Sequence, residues 1–175
     1  MYILTLFRFA GSDTTAAAMS SILYHLMKTP RAYRKLVDEI DRATFSGQLG
    51  PGCIKYKQAA RLPYLDACCK EGMRLHPSVG WTMPRHVPAG GREILGERFE
   101  AGTRVGMNAA VVQRDPSIFG ADADEFNPDR WLGEDAVKME RCMLHVSVFS
   151  TAKPSHGSDN PCSSVVDREP VSARM

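Results

Sequence analysis

Residues 3–28 carry a helical pattern uninterrupted by proline, and this run constrains the fold more tightly than any other stretch. Leu4, Phe7, Gly11, Thr14, Ala18, Ile22 and Leu26 recur at helical spacing and predict one apolar face. The middle of that run reads FAGSDTT (residues 9–15), where Gly11, Asp13, Thr14 and Thr15 each cost helix propensity. Thr14 is placed to bond back to the carbonyl of Ala10, a pattern that loosens and bends a helix locally. Two readings stand side by side. A bend lined by Gly11 and a hydroxyl, next to a carboxylate, suits a small polar ligand held against a flat apolar one. Close helix packing uses the same small side chains.

The punctuation after this run predicts further helices. Thr29-Pro30 ends the first and opens a second, with Thr29 as N-cap, Pro30 in the first turn, and Tyr33, Leu36, Val37 and Ile40 on one face. SGQLGPG (residues 46–52) reads as a loop. LPYLDACCKEGMRLHP reads as a third helix, with Pro63 near its start and Pro77 closing it. The second half changes period. REILGERFEAGTRVGMNAAV has β-branched and aromatic residues broken by Gly96 and Gly102, which predicts a small two-stranded hairpin. RDPSIFGADADEFNPDRWL is loop-rich. From Val146 the chain has seven Ser, three Pro and a single aromatic, with no apolar period, and is expected to be disordered.

Composition removes several function classes. A formal charge of +2 leaves no electrostatic footprint for nucleic acid. Five Cys without a Cys-x-x-Cys pair point to reduced thiols rather than a disulfide framework or a zinc site. The opening MYILTLF is too short for a signal core or a membrane span, and no membrane segment is expected. A length of 175 residues suits one domain, or part of a larger one.

Glu71 and Arg74 stand three apart in the third helix and share a face. Arg130, downstream in FNPDRW, is placed to fold back over that helix. One carboxylate held by two guanidinium groups makes a directional buried node. An exposed ion pair of little energetic weight is the other reading.

FAGSDTT, Glu71-Gly-Met-Arg74 with Leu75-His-Pro77, Pro84-Arg85 with its trailing PAGGREILGERFEAGTRV, and FNPDRW occur in a fixed order. Together they resemble the C-terminal half of a cytochrome P450, a haem-thiolate monooxygenase, over residues 4–145. The resemblance implies a mainly α fold with a small β hairpin, residues 1–145 forming a partial domain of this family and residues 146–175 a non-homologous tail. It implies haem b as cofactor, a small apolar organic substrate, and an electron-donating reductase as partner. Full-length eukaryotic relatives would sit on the cytosolic face of the endoplasmic reticulum. Ala10 and Gly11 would make room for dioxygen on the distal side of the haem. Thr14 would hydrogen-bond the oxygen held on iron, and Asp13 would relay protons from solvent. Arg85 would pair with a haem propionate. Residues 78–83 would line the substrate pocket, and Glu71, Arg74 and Arg130 would form the structural node.

Two departures from the family pattern set further expectations. The family takes its iron ligand from a Phe-x-x-Gly-x-Arg-x-Cys-x-Gly loop, and thiolate donation favours O–O cleavage. After MERCMLH this chain reads VSVFSTAKPSHG. Counting from Phe149 puts Ala152, Pro154 and His156 at the Gly, Arg and Cys positions; counting from Val146 puts Lys153 at the ligand position. Cys142 comes too early, and Cys162 lacks the flanking glycines and basic residue. No metal ligand is therefore assigned. The second departure is the family's N-terminal half, which the resemblance does not reach. On this reading the chain is a non-catalytic fragment. Val146-Ser147 is what an in-frame GT(A/G)AGT encodes, so a eukaryotic product with translated intron or a shifted frame after His145 is expected.

Overall fold

The computed structural model describes residues 2–50, 52–82, 84–94, 96–137 and 139, without the side chains of residues 2–9. The tail from residue 146, with Cys142, His156 and Cys162, lies outside the described residues.

Helix α1 (Tyr2–Lys28) is continuous, as a proline-free run requires. Along the described side chains the expected face holds from Thr14 onward: Leu26 is buried, Ile22 packs beside it, and Ala18 and Thr14 are half-buried, while Met19, Leu23, Tyr24 and Met27, which lie off that face, are exposed. Gly11, further up the face, is exposed. The closest packing is in the C-terminal third of the helix. There Ser21 Oγ donates to the Gly72 carbonyl at 2.9 Å. A Cβ added at Gly72 would stand 2.5 Å from Ile22 Cγ1 and 3.1 Å from Ile22 Cα, so the two backbones meet only because position 72 has no side chain.

Helix α2 (Pro30–Phe45) opens with Pro in its first turn, but the Thr29 side chain makes no cap bond. It buries Ala32, Leu36 and Ala43. Tyr33, expected on that face, is exposed, because one residue is a 100° step around a helix and Ala32 takes the inward position. After a single turn, α3 (Tyr56–Ala59), comes α4 (Pro63–Leu75). The free amides of Tyr64 and Leu65 at its start donate to Glu39 Oε1 and Oε2 of α2, both at 2.9 Å. A carboxylate at a helix N-terminus satisfies orphan donors and complements the helix dipole. Leu26, Ala32, Leu36, Tyr64 and Cys68 fill the space between α1, α2 and α4.

The β part contains two ladders rather than one hairpin. Strands β2 (Arg92–Ile94) and β3 (Glu97–Phe99) pair antiparallel around Gly96, whose φ of 76° suits the turn. Strands β1 (Arg85–His86) and β4 (Arg104–Val105) form a second antiparallel pair outside it. Two-residue strands leave no alternation to read, which is why the outer ladder is invisible in sequence. The loop-rich stretch that follows holds two one-turn helices, α5 (Ala109–Val112) and α6 (Pro116–Phe119), and a 3-10 helix at Pro128–Leu132. Asn108 and Asp115 cap the two turns by accepting from the amides of Ala110 and Ser117. These turns bring Phe119, Ala123, Trp131 and Met139 together against Ala67 of α4.

Candidate functional site

The inward face of α4 carries Glu71 and Arg74 at a spacing of three, and both side chains are fully buried. The pair is bidentate: Arg74 Nε donates to Glu71 Oε2 at 2.8 Å and Nη2 to Oε1 at 2.9 Å. Arg130 Nε, from the 3-10 helix, reaches Glu71 Oε1 at 2.9 Å. Two further donors complete the carboxylate: the Asn127 amide on Oε1 at 3.0 Å and the Trp131 indole Nε1 on Oε2 at 2.8 Å. Burial alone raises a carboxyl pKa. Here the bonds and charge of Arg74, the Asn127 amide and Arg130 outweigh it and hold Glu71 below the usual carboxylate range.

The guanidinium of Arg74 is equally saturated. Its Nη1 donates to the carbonyls of Gln113 and Ala123, each at 2.6 Å, and Nη2 also reaches the Glu125 carbonyl at 3.2 Å. Its plane lies 4.9 Å from the Phe119 ring. Arg130 continues outward to the Phe119 and Asp122 carbonyls and to the Asp122 carboxylate, whose Oδ2 stands 3.0 Å from its Nη2. Asp122 is held below its ordinary pKa, first by the Asn127 side-chain bond and then, against partial burial, by Arg130. A buried ion pair is tolerated when every polar group has a partner, and this one meets that condition.

Ala10, Gly11, Asp13 and Thr14 share one turn of α1 and present the opposite character. Ala10, Gly11 and Asp13 are exposed and Thr14 is half-buried. Thr14 Oγ1 donates to the Ala10 carbonyl at 2.8 Å. A Cβ at Gly11 would meet nothing within 4 Å, so the surface there is open. The turn is linked to the segment after α4 by Ser78 Oγ, which donates to the Thr14 carbonyl at 2.8 Å. Arg85 sits exposed on β1, and its guanidinium has no hydrogen bond or ion pair among the described residues.

The structure thus brings Glu71, Arg74 and Arg130 into one cluster and sets the α1 turn and Arg85 apart from it. Sequence reasoning gave no role to Trp131, Asn127 or Asp122, and placed Ser78 only within a pocket-lining segment, without its bond to α1. The indole of FNPDRW was the available signal, because a buried Trp N–H needs an acceptor.

The same residues test the fit of a planar tetrapyrrole. The turn of small side chains at Ala10 and Gly11 is open, and the guanidinium of Arg85 has no partner among the described residues, so the chemistry of both is compatible with an apolar face and an acidic edge of such a group. The three described cysteines do not supply a thiolate. Cys68 is fully buried in the core, and burial pushes its thiol up to about 12; Cys69 is also raised by burial, and Cys53 lies in an exposed loop. No cluster of His, Cys, Asp and Glu suited to a metal ion occurs among the described residues.

Comparison with known proteins gives the family. A family model described as Cytochrome P450 matches residues 1–146. The chain is 50% identical over 123 residues to the cytochrome P450 monooxygenase ACRTS1 of Alternaria alternata, covering 70% of this chain and 32% of that protein. It is 47% identical over 130 residues to the cytochrome P450 monooxygenase cicH of Emericella nidulans, covering 74% and 26%. It is 46% identical over 123 residues to a pisatin demethylase of Fusarium vanettenii, covering 70% and 23%. The chain therefore spans about a quarter to a third of the length of the curated relatives it matches.

Proposed function

The chain belongs to the cytochrome P450 family, and from that premise we propose that it supplies the oxygen-side helix and the structural node of a haem-dependent monooxygenase acting on an apolar organic substrate. The observation that carries the reading is the saturated carboxylate of Glu71. It joins two of the motifs on which the family resemblance rests, accepting two hydrogen bonds from Arg74 within Glu71-Gly-Met-Arg74 and three from Asn127, Arg130 and Trp131 of FNPDRW.

The residues divide the work. Ala10 and Gly11 would lie against one face of the haem, and Arg85 would hold a propionate as a charge-assisted pair. When bound, the haem supplies the redox-active iron at which dioxygen is activated. Thr14 holds a proton at Oγ1, where it is bonded to the Ala10 carbonyl. Turning that donor toward a ligand exchanges one hydrogen bond for another, at a net difference of about 1 kcal/mol. Asp13, exposed next to it in sequence, would deliver protons from solvent to the hydroxyl. Glu71, Arg74 and Arg130 touch no ligand in this scheme; they fix α4 against the 122–131 segment. An electron-donating reductase is the proposed partner. Residence at the endoplasmic reticulum is proposed from the family alone; no helix among the described residues is long and apolar enough to cross a membrane. The test is Thr14→Ala in the haem-loaded protein: more reduced oxygen lost as peroxide per product, with haem content unchanged. An unchanged ratio removes Thr14 from the scheme.

A second reading has its own observation. The family match stops at residue 146, and residues 146–175 contain no Phe-x-x-Gly-x-Arg-x-Cys pattern. On it, residues 1–145 are the family part, the remainder is a non-homologous tail, and this chain alone ligates no iron through sulfur. Reduced chain mixed with haem and carbon monoxide is then expected to show no far-red-shifted Soret band. A thiolate-type band that vanishes in Cys162→Ser overturns this second reading.

A further inference from the structure

The segment after α4 is tied to α1 by a side chain that none of these roles uses. Pro77 ends α4, and the next residue, Ser78, sends its hydroxyl to the carbonyl of Thr14 at 2.8 Å. Inside an α-helix that carbonyl also accepts from the amide four residues on, so it spends its second lone pair on Ser78. The same Thr14 bonds back to Ala10 through its own hydroxyl. Its position is therefore set from two sides, within the helix and across to the neighbouring segment.

The far end of that segment is also fixed. Thr82 forms an antiparallel bridge with Asn108. A Cβ added at Gly106 would stand 2.7 Å from Thr82 Cγ2 and 2.9 Å from Pro84 Cα, so the two backbones lie in close contact. Between these anchors Trp81 is 81% exposed. A strip held at both ends with its large side chain free transmits a push at its middle to its anchors. One anchor is the residue carrying the proposed proton-holding hydroxyl.

We infer that Ser78 is a positioning residue, which couples the 78–82 segment to the Thr14 turn so that a ligand pressing on Val79 to Trp81 moves the Thr14 hydroxyl. This rests on the reading of Thr14 given above. Hydrogen–deuterium exchange on the 175-residue chain tests the contact directly. Ser78→Ala is expected to raise exchange in residues 14–18 about two- to tenfold, the range set by loss of one ordinary hydrogen bond. Exchange in residues 67–74 should stay as in the unaltered chain, and Ser78→Thr, which keeps the hydroxyl, should restore protection. Unchanged exchange at residues 14–18 in Ser78→Ala overturns the inference whatever becomes of the monooxygenase reading. So does a rise spread equally through α4, because it marks general loosening. In the haem-loaded protein, Ser78→Ala should shift the peroxide-to-product ratio in the direction of Thr14→Ala, and Ser78→Thr should reverse it. If Thr14→Ala itself leaves that ratio unchanged while the exchange pattern appears as expected, the Thr14 reading falls and the contact stands as structural only.

Discussion

The node under α4 and the open turn of α1 use similar residue types for opposite ends. Glu71 is fully buried with five donors on two oxygens, and Arg74 is fully buried with every N–H committed. Asp13 is exposed, and its one described partner is the Ser12 hydroxyl at 3.5 Å. The Thr14 hydroxyl has one described partner, the Ala10 carbonyl. A carboxylate whose lone pairs are all filled cannot take up another proton without breaking something, so it serves as architecture. A carboxylate and a hydroxyl with spare capacity can exchange partners, which is what the proposed proton path requires of Asp13 and Thr14. Saturation is the property that tells the two apart.

Removing the node's acceptor should have the largest effect. Glu71→Ala leaves two buried guanidinium groups without their shared partner, a loss of about 3–5 kcal/mol, and the variant is expected not to fold cooperatively in a urea titration. Retention of most of the stability would show that the node and the turn differ less than their geometry says. Next comes Trp131→Phe, which keeps an aromatic ring of smaller volume and deletes one hydrogen bond to a charged group. A loss of about 1.5–3 kcal/mol in the same titration is expected. Gly72→Ala forces a methyl into Ile22 at 2.5 Å, an overpacking cost of about 1–3 kcal/mol, and separates α1 from α4. At the open turn the numbers shrink. Thr14→Val should change stability by no more than about 0.5 kcal/mol, the usual bound for exposed sites, and a larger loss would make that turn part of the core.

The two regions also part company in acid. Glu71 and Asp122 have lowered folded-state pKa values, so their stabilisation is present above the ordinary carboxylate range and is lost as pH falls through it toward the folded values. His25 makes a smaller, separate contribution. Its ring stacks on Phe126 at 5.3 Å, and burial, then the charge of Arg114, lowers its pKa. A His that folds neutral contributes above its unfolded pKa of about 6.5 and loses that contribution as pH drops below it. His25→Phe should flatten the stability slope just below about pH 6.5 while leaving the acid limb of the node in place.

How much of this was legible depends on whether the signal is local. Glu71 and Arg74 at helical spacing, Pro30 and Pro63 in first turns, and the hairpin around Gly96 are all set by residues within a few positions, and sequence shows them. The partners of Arg74 are not. The carbonyls of Gln113, Ala123 and Glu125 have no side-chain signature, and their aim comes from one-turn helices too short to leave a period. The Thr29 cap failed for a related reason: its carbonyl accepts from the Tyr33 amide in a regular helical bond, while its side chain makes no cap bond. The apolar face expected on α1 is set by local spacing and holds from Thr14 to Leu26, whereas the exposure of Gly11 depends on packing partners that spacing does not encode.

Arg74 has a consequence for the order in which the chain assembles. Its backbone partners stand 39, 49 and 51 residues away in sequence, whereas Glu71 is three away. The helical pair can form as soon as α4 does, but the other three acceptors arrive only after a long loop has closed, which is entropically slow. Until then Arg74 must stay hydrated and α4 cannot bury its inward face. The guanidinium therefore acts as a gate on collapse, admitting the helix to the interior only when the 113–125 segment is already in register. Lys at this position, with three donors on a flexible stem, would hold that gate less strictly. Weakening contacts that form after the gate should leave the folding rate nearly unchanged and accelerate unfolding.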